Sequence, residues 1–311
     1  MPPPLLDAHA HLWDVNLLRY PWLSPPFSDD GPNGSVEPIA RTYGLSDYDA
    51  DCEGWDVRGL VHVEAGAHPA DALAETRWLQ ALADRGGRPQ AIVAHAALDD
   101  PALDRRLREH RVCANLRGIR HIVNWHPDPK RSYTNRDVTA DDAWAAGLAC
   151  LGRHGLSFDL QCYPAQMPPI AAIVARHPDV PVIINHLGMP VLSDADGLNI
   201  WRVGMTALAA LPHVACKISG MGFIDRRWTP ELVRPLVLET IDMFGPDRCM
   251  IATDVPTDKL FGSPSQHLAC YADTTSAYSA HEQAELWGGT AARFYRVELD
   301  LEPSRELNDA Q

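Results

Sequence analysis

Short apolar, β-branched runs recur along the chain, with room for one helix between each pair. Eight are legible: residues 5–11 (LLDAHAH), 59–65 (GLVHVEA), 91–98 (AIVAHAAL), 118–123 (GIRHIV), 157–162 (SFDLQC), 180–188 (VPVIINHLG), 214–219 (VACKIS) and 249–254 (CMIATD). Runs this short and this apolar fit strands buried on both faces. The intervening stretches carry helical spacing instead. Ala72, Leu73, Thr76, Leu79, Leu82 and Ala83 form one apolar face, closed by Gly86, and residues 141–155 and 168–178 repeat the pattern up to Gly155 and Pro178. Strands alternating with helices imply parallel pairing through right-handed crossovers. Eight such units in about 290 residues predict an α/β fold, a single (β/α)8 TIM-type barrel. No Gly-x-Gly-x-x-Gly follows the first run, which speaks against an open dinucleotide-binding sheet. One domain is expected over residues 1–311, with a core of about 5–297 and a frayed tail at 298–311.

Two connections exceed ordinary barrel loops. Residues 12–58 are rich in Pro, Gly, Asp and Ser, and NWHPDPKRSYTN (124–135) follows the fourth run. Long loops in a compact domain tend to be functional. Both leave the carboxyl end of a strand, where barrel enzymes assemble their sites. Residues 19–36 and 124–136 are therefore expected to flank the mouth and set substrate choice.

Polar side chains gather at those same ends: His9 and His11, Glu64, Arg120 and His121, Gln161, His186, Lys217 and Asp254. His9 and His11 are two apart, so a strand presents both on one face, where paired imidazoles can hold a divalent metal or grip a substrate oxygen. In a barrel all these positions converge on one mouth. Each has a plainer alternative. His186 can be a buried histidine bonded to a backbone carbonyl, Asp254 a turn cap, and Lys217 with Glu64 a structural ion pair. For His62, His95, His126 and His154 the structural reading is preferred, and Arg226 and Arg227 read as a solvated loop.

Composition narrows the partners. The net charge is -14, from 41 acidic residues against 27 Lys plus Arg, so nucleic acid and anionic membrane surfaces are not expected partners. No run approaches the ~20 apolar residues of a membrane span, and no secretory signal is visible at the start. Seven cysteines without a CxxC pair fit reduced thiols and a cytoplasmic protein. A small molecule is the expected partner, anionic or polyhydroxylated, with homo-oligomerisation left open.

Taken in order, DAHAHLWD with RYPWL, GIRHIV, INHLGMP, CKISGMGF, GPDRCMIATDVP and AARFYRV resemble the amidohydrolase superfamily, in its branch of sugar-lactone and 2-pyrone-4,6-dicarboxylate lactonases. The resemblance spans about residues 5–297. It implies a barrel that hydrolyses a cyclic ester, with His9, His11, His186 and Asp254 at the matching catalytic positions. Broader members bridge two metals with a lysine on the fourth strand and end the fifth with a histidine. This chain has Arg120 and Gln161 there, so at most one divalent ion (zinc or manganese) is expected on His9, His11, Asp254 and His186. The branch also includes metal-free members.

Opening a lactone needs an activated water, a polarised carbonyl and a protonated leaving alkoxide. Asp254 suits the proton transfers. A metal ion, or direct donors from the histidines and Arg120, suits the oxyanion. His121, Lys217 and Glu64 are expected to hold the substrate, and Tyr163 and Trp22 to wall it. Two other readings share these residues: non-oxidative decarboxylation of an aromatic or unsaturated acid, and a non-catalytic barrel that senses a small acid. Proton release, carbon dioxide release or neither separates the three.

Overall fold

Each of the eight apolar runs forms a strand. In the computed structural model, which describes residues 2–302, they are β1 Leu5–Ala10, β2 Val57–Val63, β3 Ala91–His95, β4 Leu116–Ile122, β5 Ser157–Gln161, β6 Val182–Ile184, β7 Val214–Ile218 and β8 Cys249–Ile251. They pair in parallel in chain order. The seam between β8 and β1 closes just beyond the end of β8. There the Asp254 amide donates to the His9 carbonyl (2.8 Å) and the His11 amide to the Val255 carbonyl (2.7 Å). Asp7 is buried in this seam and accepts from the Thr253 amide (2.9 Å), the Thr253 hydroxyl (2.6 Å) and the Tyr48 hydroxyl (2.8 Å).

Helices cover the outside of the barrel. Ala72–Gly86 runs to the expected glycine, and Gly87 then takes the left-handed cap at φ 73°. Asp142–His154 stops on Gly155 at φ 64°, the conformation glycine adopts without strain. Met167–Val174 ends short of Pro178. Small and branched side chains fill the barrel interior, among them Leu6, Ala8, Val61, Val93, Ile183 and Ala215, and Tyr295 and Val297 join the same cluster. Trp144, Phe158 and Trp201 belong to the larger layer between strands and helices.

The connection after β1 has a core of its own. Trp13, Tyr20, Tyr43 and Tyr48 pack together there, Trp13 and Tyr43 form an antiparallel bridge, and Leu45–Asp51 is helical. Leu299 and Leu301 pack against the interior cluster, and residues 303–311 of the expected tail lie outside the described residues. The cysteines are all buried and free. No described helix is long and apolar enough to cross a membrane.

Buried histidines make the fold acid-sensitive. Burial pushes His110 and His267 down to about 4 and His186 to about 3, and drives His9 and His62 well down. The unfolded chain takes up these protons near pH 6.5, whereas the folded chain does not until much lower pH. The resulting stability is complete above pH 6.5 and is lost as pH falls towards these folded values. Burial raises Asp7, Glu75 and Asp258, which pull the opposite way, but they are outnumbered. Each uncompensated proton changes stability by about 1.4 kcal/mol per pH unit. The Tm should therefore fall between pH 6.5 and about 4.5; a flat Tm across that window would contradict the burial argument.

Candidate active site

The ladder between β1 and β2 shifts register between Asp7 and Ala10. Below the shift, Leu6 and Ala8 join the apolar interior. Above it, His9 and His11 bring their rings together at the carboxyl end of the barrel, Nε2 to Nε2 at 3.2 Å. Asp254 meets both: its Oδ1 lies 3.2 Å from His11 Nε2 and 3.5 Å from His9 Nε2. Ligand bonds of about 2.0–2.1 Å at tetrahedral angles separate donor atoms by about 3.3 Å. The three atoms thus match one face of a zinc-like tetrahedron.

Other features fit the same ion. His11 Nδ1 sits 2.7 Å from the Val63 carbonyl and donates to it, which turns the Nε2 lone pair into the triangle. Asp254 Oδ2 is buried and has no partner among the described residues. His186 adds a further nitrogen, since donor atoms of His9, His186 and Asp254 lie within 4.8 Å of one another. Two positive groups crowd the His9 ring, Arg120 Nη1 at 3.4 Å from Nε2 and Lys217 Nζ at 3.3 Å from Nδ1. The donor set fits one divalent ion, and this fixed positive charge argues against a second.

Charge fixes the protonation states. Burial alone would raise the Asp254 carboxyl, but His186 and His11, when they carry a proton, and Arg120 outweigh it and hold it below the usual aspartate range. Burial of the His186 imidazole outweighs the pull of Asp254, so the ring stays neutral. Its Nδ1 meets the Ser219 hydroxyl at 3.0 Å. Arg120 is locked from below: Nε donates to Glu64 Oε1 (2.7 Å), Nη2 to the Glu64 carbonyl (2.6 Å) and Nη1 to Gln161 (3.1 Å). His186 and Asp254 are both left-handed, at φ 54° and 55°. Such backbone costs about 1–3 kcal/mol per residue and persists where the surroundings enforce it.

Above these groups lies a cavity of about 470 Å³. His11, Arg120, Gln161, His186 and Asp254 line its polar side; Trp22, Phe27, Tyr133 and Phe223 contribute aromatic walls.

Residues 6–297 match the amidohydrolase family along nearly the whole barrel. The chain belongs to the amidohydrolase family. An L-fucono-1,5-lactonase of Burkholderia multivorans is 32% identical over 310 residues, covering 94% of this chain and 96% of that protein. An uncharacterized protein of Sinorhizobium fredii is 40% identical over 294 residues, covering 94% and 98%. Among solved structures, a zinc-bound amidohydrolase from Burkholderia multivorans superposes with a TM-score of 0.79 at 29% identity, covering 95% of this chain and all of that one.

Within this amidohydrolase, the strand-end residues separate into groups. His9, His11, Arg120, His186 and Asp254 come together. Glu64 and Lys217 lie buried behind them, held by Arg120 and by Asp159. Trp22 lines the cavity, its indole N–H donating to the Ala65 carbonyl (2.8 Å). Tyr163, expected as a second wall, lines an adjoining cavity instead and donates to the Arg131 carbonyl (2.7 Å). His121, expected to hold substrate, lines neither cavity; its Nδ1 accepts from the Leu98 amide (3.3 Å) and its ring meets His95. The reason is the pleat of β4. Neighbouring residues face opposite ways, so an inward Arg120 turns His121 outward.

Several site residues carried little signal. Asp7 and Asp159 are charged residues inside apolar runs, a clue visible in LLDAHAH and SFDLQC. Ser219, Asp258 and Tyr133 had no local clue. Arg226 is exposed, as expected, and there donates to the Gly31 carbonyl at 2.8 Å and lies against Gly34. With Tyr133, whose hydroxyl donates to Asn33 (2.7 Å), and Lys130, paired with Asp30 (2.9 Å), it pins the first long loop across the mouth. One such hydrogen bond is worth about 0.5–1.5 kcal/mol. Tyr133→Phe should accordingly raise KM about two- to tenfold with little change in kcat or Tm. An unchanged KM would remove this contact from substrate closure.

Proposed function

We propose that this amidohydrolase opens an uncharged lactone ring, of the sugar-lactone type, by attack of water with Asp254 as proton acceptor. The observation that carries the reading is Asp254 Oδ2, a buried carboxylate oxygen free of any described partner on a residue that lines the cavity. The named lactonase relative supports the reaction class.

The chain's own groups divide the work. Asp254 takes the proton of the attacking water and returns it to the ring oxygen when the ester bond breaks. Neutral His186, held by Ser219, orients that water. Arg120 is clamped through Nε and Nη2, which leaves Nη1 as its donor closest to His9, where the carbonyl oxygen gains charge. A divalent ion on His9, His11, Asp254 and His186 would add Lewis-acid polarisation of that carbonyl.

Charge balance in the cavity favours an uncharged substrate. Arg120 is the one cationic Arg or Lys among the described lining residues, and Glu64 answers its charge. Lys217, expected to anchor a carboxylate, is buried and answered by Asp159. Hydroxyls suit the polar side, and an apolar sugar face suits Trp22, Phe27 and Phe223.

A panel of aldonolactones, carboxylated lactones and aromatic acids in a pH-stat, with carbon dioxide measured in parallel, tests this directly. The expected result is one proton per lactone opened, no carbon dioxide, and the highest kcat/KM on uncharged lactones. Carbon dioxide release would replace the reading with decarboxylation; binding without turnover would make the barrel a sensor. Stripping metal with a chelator should lower kcat without lowering Tm greatly. Full kcat in metal-depleted protein would assign carbonyl polarisation to Arg120 and the histidines.

A further inference from the structure

Behind Asp254 and His186 lies a second carboxyl that the proposed chemistry does not use. Asp258 follows Asp254 by one turn and is buried. Its backbone amide donates to the Asp254 carbonyl at 3.0 Å. Its side-chain Oδ2 accepts from the Gly220 amide at 3.2 Å. Gly220 in turn backs the His186 ring so closely that an added Cβ would sit 2.6 Å from His186 Cβ and Cγ. Ser219, the residue before it, holds His186 Nδ1. One side chain therefore joins the strained turn carrying Asp254 to the loop that seats His186.

A buried carboxyl is an expensive choice for a merely space-filling position, because an apolar side chain of similar size needs no hydrogen bond there. Its surroundings do not satisfy it for other reasons. Oδ1 has no partner among the described residues, and His267 Nδ1 lies 3.5 Å from Oδ2 with neither of its nitrogens hydrogen-bonded. The bond to Gly220 is the side chain's one strong attachment. Gly220 holds φ 69°, a left-handed conformation that glycine adopts without strain, and its amide is the donor to Asp258.

We propose that Asp258 is a positioning residue for the active site, fixing His186 through Gly220 and Asp254 through the shared turn. The kinetic half of this inference rests on the lactone-opening reading; the positioning half does not. Supporting groups behind a site commonly change activity or metal affinity 10- to 100-fold when removed.

Asp258→Leu removes the acceptor while keeping the branched shape of the side chain, and Asp258→Asn keeps an oxygen for the Gly220 amide. On an uncharged lactone, Leu should lower kcat about 10- to 100-fold with KM within about threefold, and Asn should recover most of the loss. The His186 side-chain resonances, followed by NMR without substrate, should shift in Leu and return in Asn. Asp258→Ala, which also removes the acceptor and adds no bulk, should displace the same resonances, and it decides the matter if Asp258→Leu does not fold. Should wild-type protein open no lactone, the function fails while the NMR comparison still judges the positioning. Unshifted His186 signals in Leu or Ala, or equal impairment of Leu and Asn, would overturn the proposal.

Discussion

Asp254→Asn should lower kcat about 10²–10⁴-fold, the usual contribution of a positioned base, with KM changed only a few-fold. Asn keeps the size of the side chain and an oxygen that can stand at Oδ1, within 3.2 Å of His11 Nε2. It places an amide where Oδ2 had been, and an amide cannot take a proton from water near neutral pH. Asn also tolerates the left-handed backbone that Asp254 adopts at φ 55°, so the turn should survive. Metal content separates two causes of the loss. A pure base leaves it unchanged, whereas a base that is also a ligand loses both kcat and metal. A turn cap would instead cost about 1 kcal/mol of stability and little activity. In the wild type, the acid limb of kcat/KM belongs below the ordinary aspartate value of 3.8, because neighbouring positive charge depresses the carboxyl.

Lys217→Met should destabilise the fold by about 3–5 kcal/mol and leave KM nearly unchanged. Lys217 and Asp159 are both fully buried, and their ion pair crosses the barrel between β7 and β5. Removing the ammonium leaves the Asp159 carboxylate with neutral donors only, Tyr295 at 2.9 Å and Asn185 at 3.2 Å. Asp159→Asn combined with Lys217→Met should restore a large part of the lost Tm, because no buried charge then lacks a partner. A substrate anchor behaves in the opposite way: KM rises and Tm holds. Some loss of kcat is expected in either case, since Lys217 Nζ also sits 3.3 Å from His9 Nδ1.

The barrel was legible because strands buried on both faces read as unbroken apolar runs, and those runs alternate with helical spacing. The mouth was legible because charged and imidazole side chains end the runs. Other features escaped for physical reasons. Runs 180–188 and 249–254 suggested strands through His186 and Asp254, yet β6 stops at Ile184 and β8 at Ile251. Hydropathy carries no information on φ, and the left-handed turns that aim both residues begin where the ladder ends. In GIRHIV, Arg120 and His121 were equivalent until the pairing of Gly118 with Ser157 fixed which of them turns inward. Lys217 was weighed as a substrate anchor or as a partner of Glu64, and its actual partner escaped because Asp159 lies 58 residues away and Glu64 pairs with Arg120. The aromatic core of the first long loop was masked by its Pro, Gly, Asp and Ser content.

The central claim is that water attacks the carbonyl of a lactone held against Asp254. Turnover of the preferred aldonolactone in ¹⁸O-enriched water, with mass spectrometry of the product, tests it most directly. The account predicts one label in the new carboxylate, none in the released hydroxyl, and loss of label incorporation in step with kcat in Asp254→Asn. Unlabelled product, label in the hydroxyl, or carbon dioxide in place of the ring-opened acid would contradict it.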